Sequence, residues 1–304
     1  MDTKQYILKI AEENNITKAA EKLFITQSAL NQQLLKLEKE LGTPLFHRSR
    51  TNWRLTEAGE IYIEGAKAAL QIKNTTYNRI YDVVSARKGH LTIGLTPGRG
   101  LRMFTAIYPE LHRSFPNLDV RPIEMRVRAQ QDAIAKGDID VGLMTLTQKD
   151  QTSDTYYPLK QEELVLIIPS GHPLAAKAAP SGEPLTTLDL IELRYEPFVL
   201  MDKTSTLRSS CDLLFEKAGF APNILFETNN TSGIAAMVQS TLCCGIIPRY
   251  YTLGLTEGVA CFSLPERPSW EIVISCQKNG YLNSGAREFI RLAREYWENS
   301  APLF

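Results

Sequence analysis

The sequence is poor in the residues from which disulfide frameworks and metal sites are built. Its 304 residues include only five cysteines and four histidines. The cysteines are odd in number and lack Cys-x-x-Cys spacing, which is typical of reduced, buried thiols. The histidines are scattered along the chain, with no spacing that suits a shared metal ion. We therefore expect no metal site, no disulfide and no cofactor.

Catalytic motifs are missing as well. The chain has no Gly-x-Ser-x-Gly elbow, no phosphate-binding loop ending in Gly-Lys and no His-Glu-x-x-His pair. The glycines of residues 94–100 do not match the dinucleotide-binding pattern. Acidic residues are plentiful, but their spacing suggests no acid–base pair. An enzyme on an α/β scaffold therefore stays an alternative, as does an interaction protein that binds no small molecule.

Long apolar runs and an excess of either charge are also absent. The 34 basic and 34 acidic residues give a formal net charge of zero. No stretch approaches the length of a membrane span, and no apolar segment follows the first residues as in a secretory signal. We expect a cytoplasmic protein without membrane contact. A protein devoted to nucleic acid would be basic throughout, so any DNA-binding module must be a small part.

The clearest pattern present is a pair of predicted helices within residues 17–41. The first covers about 18–23, and a turn at Ile25 and Thr26 leads into the second. Thr26 suits an N-cap, because its hydroxyl can accept from a backbone N–H that the helix leaves unpaired. Gly42 suits the left-handed residue that ends the second helix. The apolar face of this helix carries Leu30, Leu34, Leu37 and Leu41.

The other face of the second helix is polar and uncharged near its N-terminus. Gln27, Ser28, Asn31 and Gln32 are of the types that bond base edges or phosphates in a DNA major groove. An ordinary amphipathic helix pair with a solvated face would show the same pattern. The following residues, 44–56, contain arginines and no acid, so two short strands there predict a wing. Its candidate phosphate or minor-groove contacts are Arg48, Arg50 and Arg54.

Together these blocks resemble the LysR-type transcriptional regulators. The shared blocks, in order, are 17–23 (TKAAEKL), 26–30 (TQSAL), 37–42 (LEKELG), 44–48 (PLFHR) and 55–59 (LTEAG). Asn31 stands where serine is usual and Leu35 where a basic residue is usual. The resemblance adds Thr17 and Thr26 to the DNA-facing residues. It implies a double-stranded operator, a homodimer or homotetramer, and RNA polymerase as a further partner.

A long helix is predicted over residues 57–86. Ile63, Leu70, Tyr77 and Val84 recur every seven residues, and Ala66 and Ile80 fill intermediate positions. Such spacing favours pairing with a second helix in a dimer. The alternative is a single helix packed on its own domain. Residues 88–90 are predicted to form the hinge that follows.

From residue 91 the pattern alternates between strands and helices, which predicts α/β lobes with parallel strands. The resemblance implies a two-lobed fold like that of periplasmic binding proteins, with the chain crossing near residues 161 and 266. The predicted domains are a winged helix-turn-helix at 1–58, a linker and dimerisation helix at 59–88, and an effector-binding domain at 89–304. Lobe I would hold 89–161 and 266–304, and lobe II 162–265.

A small-molecule site is expected between the lobes, where loops follow the carboxyl ends of strands. Each loop alone could be no more than a polar connection with a helix cap. The candidate effector-binding residues are Thr96, Pro97, Gly98, Arg99, Gly100, Thr145, Thr147, Thr204, Ser205, Thr206, Asn229 and Thr231. The hydroxyl groups and Arg99 suggest a small anion such as a carboxylate. Thr206 stands where peroxide-sensing members of the family carry a cysteine, so thiol sensing is not expected.

Overall fold

The computed structural model describes residues 3–49, 53–84, 87–180, 182–252, 255 and 257–299. They fall into two compact units, of which the first comprises 1–85 with 136–138 and the second the rest of the chain. No helix among these described residues is long and apolar enough to cross a membrane. The elements of the first unit are α1 (Thr3–Glu13), α2 (Ile16–Lys22), α3 (Gln27–Leu41), β1 (Phe46–His47), β2 (Arg54–Leu55) and α4 (Glu57–Val83).

Helices α1 to α3 with the hairpin β1–β2 form what we call the head. Its core buries Ile7 and Ile10 of α1 against Leu30 and Leu34 of α3. The predicted apolar face of α3 is therefore confirmed over its first two leucines, whereas Leu41 is 45% exposed at the helix end. The helix ends where the sequence predicts, because Gly42 takes the left-handed conformation with φ of 72°.

The turn before α3 contains a strained residue. The N–H of Phe24 donates to Glu21 and that of Ile25 to Ala20, each over 3.1 Å. These two hydrogen bonds close α2 with a Schellman motif, in which the residue after the C-cap lies in the left-handed region. Here that residue is Phe24, with φ of 55° and a side chain that is 95% exposed.

Replacing Phe24 with glycine should stabilise the head by about 0.5–1 kcal/mol, because glycine adopts positive φ without a Cβ clash. Urea unfolding of the full chain would measure the gain, and hydrogen exchange of the α2 amides would locate it. Phe24→Ala is the matched control, since alanine keeps the clash and should give no gain. A loss of stability in Phe24→Gly would contradict this account.

The wing is fastened to α3 by a buried carboxylate. Strands β1 and β2 pair antiparallel, with Phe46 opposite Leu55. Glu38 is 8% exposed, and its Oε1 accepts from the N–H of Leu45 over 2.8 Å. Its Oε2 accepts from the guanidinium of Arg48. The start of the wing therefore keeps a fixed position on the third helix.

Helix α4 leaves much of its apolar surface uncovered. Thr56 caps it by accepting from the N–H of Gly59 over 3.0 Å. Of the predicted seam, Ala66 is buried, but Tyr77, Ile80 and Val84 are 43%, 50% and 63% exposed. Solvent-facing apolar residues at heptad positions are typical of a helix that pairs with another copy. The expected last residues of this helix, 85–86, lie outside the described residues.

The second unit alternates strands and helices as predicted. Its elements are β3 (Lys88–Leu95), α5 (Arg99–Ser114), β4 (Asn117–Glu124), α6 (Val127–Lys136), β5 (Val141–Leu146), β6 (Thr155–Pro169), β7 (Pro197–Met201), α7 (Thr206–Ala218), β8 (Asn223–Thr228), α8 (Thr231–Gln239), β9 (Gly245–Pro248), β10 (Val259–Ser263), β11 (Ser269–Cys276) and α9 (Ser284–Asn299). The predicted hinge at 88–90 is wrong. Those residues begin β3, where Lys88 pairs with Asn117 in a parallel ladder.

Two sheets give the second unit two lobes that share strand β6. In lobe I the strand order is β4–β3–β5–β11–β6, and β3 is parallel to both β4 and β5. In lobe II, β6 lies between β10 and β9, and a bridge from Phe198 to Cys244 places the parallel pair β7–β8 beyond β9. Strand β6 changes lobes at Glu163–Leu164, because its pairing with β11 ends at Glu163 and that with β9 begins at Leu164. The chain returns between β10 and β11.

Each lobe has its own apolar core. In lobe I, Phe289 and Trp297 of α9 are buried with the residues of β3, β5 and α5. In lobe II, Phe198 and Phe262 are buried under α7, and a second cluster around Ile234 lies on the side of α8. These cores hold the sheets rigid, so the loops at the carboxyl ends of their strands have fixed positions.

Candidate functional site

The polar face of α3 is exposed as the sequence predicts. Gln27, Ser28 and Gln32 are exposed, and Asn31 is half-buried. Thr26 and Thr17 are exposed too. The hydroxyl of Thr26 accepts from the N–H of Ala29 over 3.2 Å, so it caps the helix. The side chains of Gln27, Ser28, Asn31 and Gln32 form what we call the polar edge, in the first two turns of α3.

The arginines of the wing differ in how far they are engaged. Arg48, a predicted phosphate contact, donates to Glu38, and its guanidinium lies 5.6 Å from the centre of the Trp53 ring. Arg48 therefore helps to hold the wing on α3, a structural role that the sequence did not reveal. Arg54 is exposed at the start of β2. Arg50 lies outside the described residues.

A cavity of about 640 Å³ lies between the two lobes of the second unit. This volume is within the range of small-molecule sites. The residues around it are Thr96, Pro97, Gly98, Arg99, Arg102, Arg126, Val127, Thr145, Met201, Asp202, Thr204, Ser205, Thr206, Leu207, Asn229, Asn230, Thr231, Ser232, Pro248, Tyr250, Tyr251 and Trp270. They are contributed by the segments at the carboxyl ends of β3, β4, β5, β7, β8 and β9 and, through Trp270, by the start of β11 at the second crossing.

Helix N-termini converge on the cavity, because each loop leads into a helix. The N-cap residue of α7, Ser205, accepts from the N–H of Leu207 over 3.2 Å. That of α8, Asn230, accepts from the N–H of Ser232 over 3.0 Å. Helix α5 follows Gly98, which has φ of 73° and no side chain to cap the helix. Such termini favour negative charge, since their N–H groups carry partial positive charge.

The structure brings ten of the twelve predicted effector-binding residues to the cavity. Gly100 and Thr147 do not line it. Gly100 is buried in the first turn of α5, and the hydroxyl of Thr147 donates to Asp150 over 2.7 Å. The prediction missed the loop between β4 and α6, although this loop also lies at the carboxyl end of a parallel strand. Its residue Arg126 lines the cavity.

The charge of Arg99, the predicted partner of an anion, is already paired within the protein. Arg99 is 4% exposed, and its Nη1 donates to Glu162 over 2.5 Å. Glu162 also accepts from the indole N–H of Trp270 over 2.8 Å and from the backbone N–H of Tyr250 over 3.0 Å. The guanidinium lies within 6 Å of the ring centres of Tyr250, Tyr251, Trp270 and Trp297. Arg99 therefore has a structural role. Through Glu162 and Trp270 it links the two segments where the chain crosses between the lobes.

A second arginine lies across the cavity from lobe II. The Nη1 of Arg126 donates to Asp202 over 2.5 Å and also to the hydroxyl of Thr204. Burial alone would raise the pKa of Asp202, but the bonds from Arg126 and Thr204 outweigh it and hold that pKa below its ordinary value. Asp202 is therefore ionised at neutral pH. A further link between the lobes runs from the hydroxyl of Thr206 to the carbonyl oxygen of Thr145.

Burial disfavours ionisation of the thiols of the second unit. Burial raises the pKa of Cys211 to about 12 and that of Cys244 to about 12. It raises the pKa of Cys261 to about 11. A thiol with such a pKa is almost wholly protonated at neutral pH and a poor nucleophile. Among the described residues no group of three or more histidines, cysteines or acids could hold a metal ion.

Two family models match the chain over nearly its whole length. The model described as "LysR substrate binding domain" matches residues 85–298, and that described as "Bacterial regulatory helix-turn-helix protein, lysR family" matches residues 1–60. A curated relative is the uncharacterized HTH-type transcriptional regulator YcgK of Bacillus subtilis (strain 168). It is 29% identical over 309 residues, which cover 97% of this chain and 94% of the relative.

Solved structures share the fold. A full-length OxyR variant from Pseudomonas aeruginosa has a TM-score of 0.69 at 21% identity, and the match covers 98% of this chain and 95% of that one. Full-length CbnR in complex with its target DNA has a TM-score of 0.65 at 20% identity, with coverage of 97% and 99%. At these identities the structures inform the fold alone.

Proposed function

Because the chain belongs to the LysR family of transcriptional regulators, we propose that it couples one small molecule in the cavity to one DNA operator. It is a DNA-binding regulator with an effector-binding domain, and it is not an enzyme. We assign DNA reading to residues 1–58, pairing with a second copy to 59–88, and effector binding to 89–304. Lobe I then comprises 89–161 and 266–304, and lobe II 162–265.

The polar edge of α3 is proposed to read bases. Gln27, Ser28 and Gln32 are exposed side by side at the N-terminus of a helix whose other face is packed into the head. Asn31 completes this edge, and the hydroxyl of Thr17 extends it. Arg54, together with Arg50, supplies phosphate contacts from the wing. Arg48 supports the wing through Glu38. Its side chain is 38% exposed, so the N–H groups that Glu38 does not engage are proposed to donate to a phosphate.

Replacing Arg54 with glutamine should weaken binding to all duplexes. The plot of log affinity against log salt should flatten by about one unit for each protomer, because one phosphate contact is lost. Gln27→Ala should instead relax the preference at one base pair, at a cost of about 1–3 kcal/mol. Salt titrations of fluorescence anisotropy with specific and random duplexes would measure both. Arg194→Gln, on the surface of the second unit, is the control for a general change in charge, and an equal effect there would contradict the assignment.

The exposed apolar residues of α4 support a homodimer formed through this helix. Two heads on one dimer can read a two-part operator, which a single small recognition helix cannot do with useful specificity. We further propose that dimers associate into a tetramer through their second units. On the DNA, the assembly would meet RNA polymerase as its partner in transcription.

The single observation that carries the effector assignment is the cavity itself. It is lined by hydroxyl groups and helix N-termini from both lobes and by arginines from lobe I, and its volume suits a metabolite. A bound molecule that contacts both lobes would favour one lobe arrangement over another. That difference in affinity is what could alter the spacing of the heads, and hence the bend of the DNA.

The small-molecule fraction of a cell extract should raise the melting temperature of the full chain and change the bend of the operator. Ser232→Tyr, which places a large ring in the cavity lining at the N-terminus of α8, should abolish both effects, because it obstructs the space and the N–H groups that the effector would use. Ser209→Tyr places the same side chain on an exposed face of α7 and should leave both intact. Effects that persist in Ser232→Tyr would place the effector elsewhere. Operator binding with no response to any metabolite would favour an interaction protein without a ligand.

A further inference from the structure

Two opposite charges lie in direct contact across the cavity. Arg126 follows β4 in lobe I and Asp202 follows β7 in lobe II, and both line the cavity. The side chain of Arg126 is 45% exposed, and that of Asp202 is 25% exposed. Solvent and solutes can therefore reach the pair. Its members are held by separate lobes, so a ligand that takes the place of either one enters between them.

Only one of the two carboxylate oxygens of Asp202 accepts hydrogen bonds from the described residues. Its Oδ1 accepts from Arg126, from the N–H of Thr204 over 3.0 Å and from the hydroxyl of Thr204 over 2.6 Å. Its Oδ2 is buried and has no hydrogen-bond partner among the residues that the structure describes. The hydroxyl oxygen of Thr96, on the opposite wall, is in the same state. Because these atoms have no partner within that part of the chain, a donor that enters between the lobes and displaces Arg126 can supply the missing bond to Asp202.

The remaining charges of the cavity wall narrow the choice of ligand. The guanidinium of Arg99 is neutralised by Glu162. Arg102 and Arg126 are the other arginines of the lining, and Asp202 is its carboxylate. A plain anion on Arg126 would lie beside the ionised Asp202 and be repelled by it. An anion that also carries a donor would instead bond both members of the pair.

Resting on the proposed effector role of this cavity, we propose that the ligand is a small carboxylate with an amino or hydroxyl group on the neighbouring carbon. Its carboxylate accepts from Arg126 in place of Asp202. Its amino or hydroxyl group donates to Oδ2 of Asp202. The direct contact between the lobes is then replaced by a ligand-bridged one, which is longer. The same exchange that binds the ligand therefore alters the separation of the lobes.

Matched sets of compounds test the proposal on the full chain. The probes are α-amino acids and α-hydroxy acids, each paired with the same acid lacking the α-substituent and with the amine lacking the carboxylate. Melting temperature and tryptophan fluorescence report binding, since Trp270 lines the cavity. At least one α-substituted acid should bind about tenfold or more tightly than its unsubstituted partner, because a charge-assisted hydrogen bond is lost. Equal binding within every pair, or no binding by any member, would overturn the proposal.

Variants of the pair identify which group each half of the ligand meets. Asp202→Asn should abolish the preference for the α-substituted acid, because the acceptor loses its charge. Arg126→Gln should weaken all carboxylates. Arg128→Gln and Asp132→Asn are the matched controls on the exposed surface of α6, where neither lines the cavity, and they should change nothing. An unchanged preference in Asp202→Asn would sink the assignment.

The proposal and the effector role can fail separately. If an extract fraction stabilises the wild type and not Ser232→Tyr, while the matched compounds show no preference, the cavity keeps its role and the ligand class is wrong. If the extract fraction has no effect that depends on the cavity, both are wrong.

Discussion

Replacing Glu162 with glutamine should lower the free energy of unfolding of the second unit by about 3–5 kcal/mol, because it leaves a buried positive charge without its partner. Glu162 and Arg99 have side chains that are 1% and 4% exposed. The aromatic rings around Arg99 cannot replace a full negative charge. Because Glu162 also accepts from Trp270 and Tyr250, the substitution weakens the packing of both crossings. Urea unfolding, monitored by circular dichroism, measures this decrease in the free energy of unfolding.

A surface ion pair provides the control for this prediction. Lys217 and Glu266 form such a pair, with side chains that are 62% and 63% exposed. Glu266→Gln should cost less than about 1 kcal/mol, because exposed pairs contribute little. Arg99→Met combined with Glu162→Gln should recover much of the loss, since no buried charge then remains and the amide oxygen can still accept from Trp270 or Tyr250. A change below about 1 kcal/mol in Glu162→Gln would show that the arginine finds another partner.

The second large effect is expected from Ile80→Glu in α4. A buried glutamate at the seam should convert the protein to monomers, because charge is poorly tolerated between paired helices. Affinity for a two-part operator should fall by about a hundredfold or more, since the second head no longer binds at high effective concentration. Light scattering during size exclusion gives the assembly state, and anisotropy gives the affinity.

Ala68→Glu is the matched control for the helix. Ala68 is exposed and lies off the heptad seam, so the substitution adds the same charge to the same helix without entering the interface. It should leave assembly and operator affinity intact. If Ile80→Glu stays dimeric, or if its monomer keeps the wild-type affinity, α4 does not pair the heads and the alternative of a helix packed on its own domain is favoured.

Local features of the sequence were predictable because neighbouring residues determine them. The cap at Thr26 and the left-handed Gly42 follow from hydrogen bonds within one or two turns. The loops around the cavity were also largely predictable, since parallel strands place their carboxyl ends at one edge. Arg126 obeys the same rule, but its loop lacks the glycines and hydroxyl groups on which the prediction relied.

Features that depend on distant contacts could not be predicted. Arg99 suggested an anion site because it lies in a glycine-containing loop that follows a predicted strand, but its partner Glu162 is 63 residues away. The pair of Arg126 and Asp202 joins residues 76 apart. Similarly, the sequence marks Arg48 as basic but does not show that Glu38 holds it within the head. A charged side chain can bind a ligand only if the fold does not already pair it with an opposite charge.

Strand β6 has a consequence for how the second unit can be divided. Its first half completes the edge of one sheet, and its second half fills the centre of the other, between β9 and β10. Neither lobe is therefore an autonomous folding module. A fragment cut at Glu163 would expose unpaired backbone in both halves, so shuffling between related proteins must exchange the two lobes together.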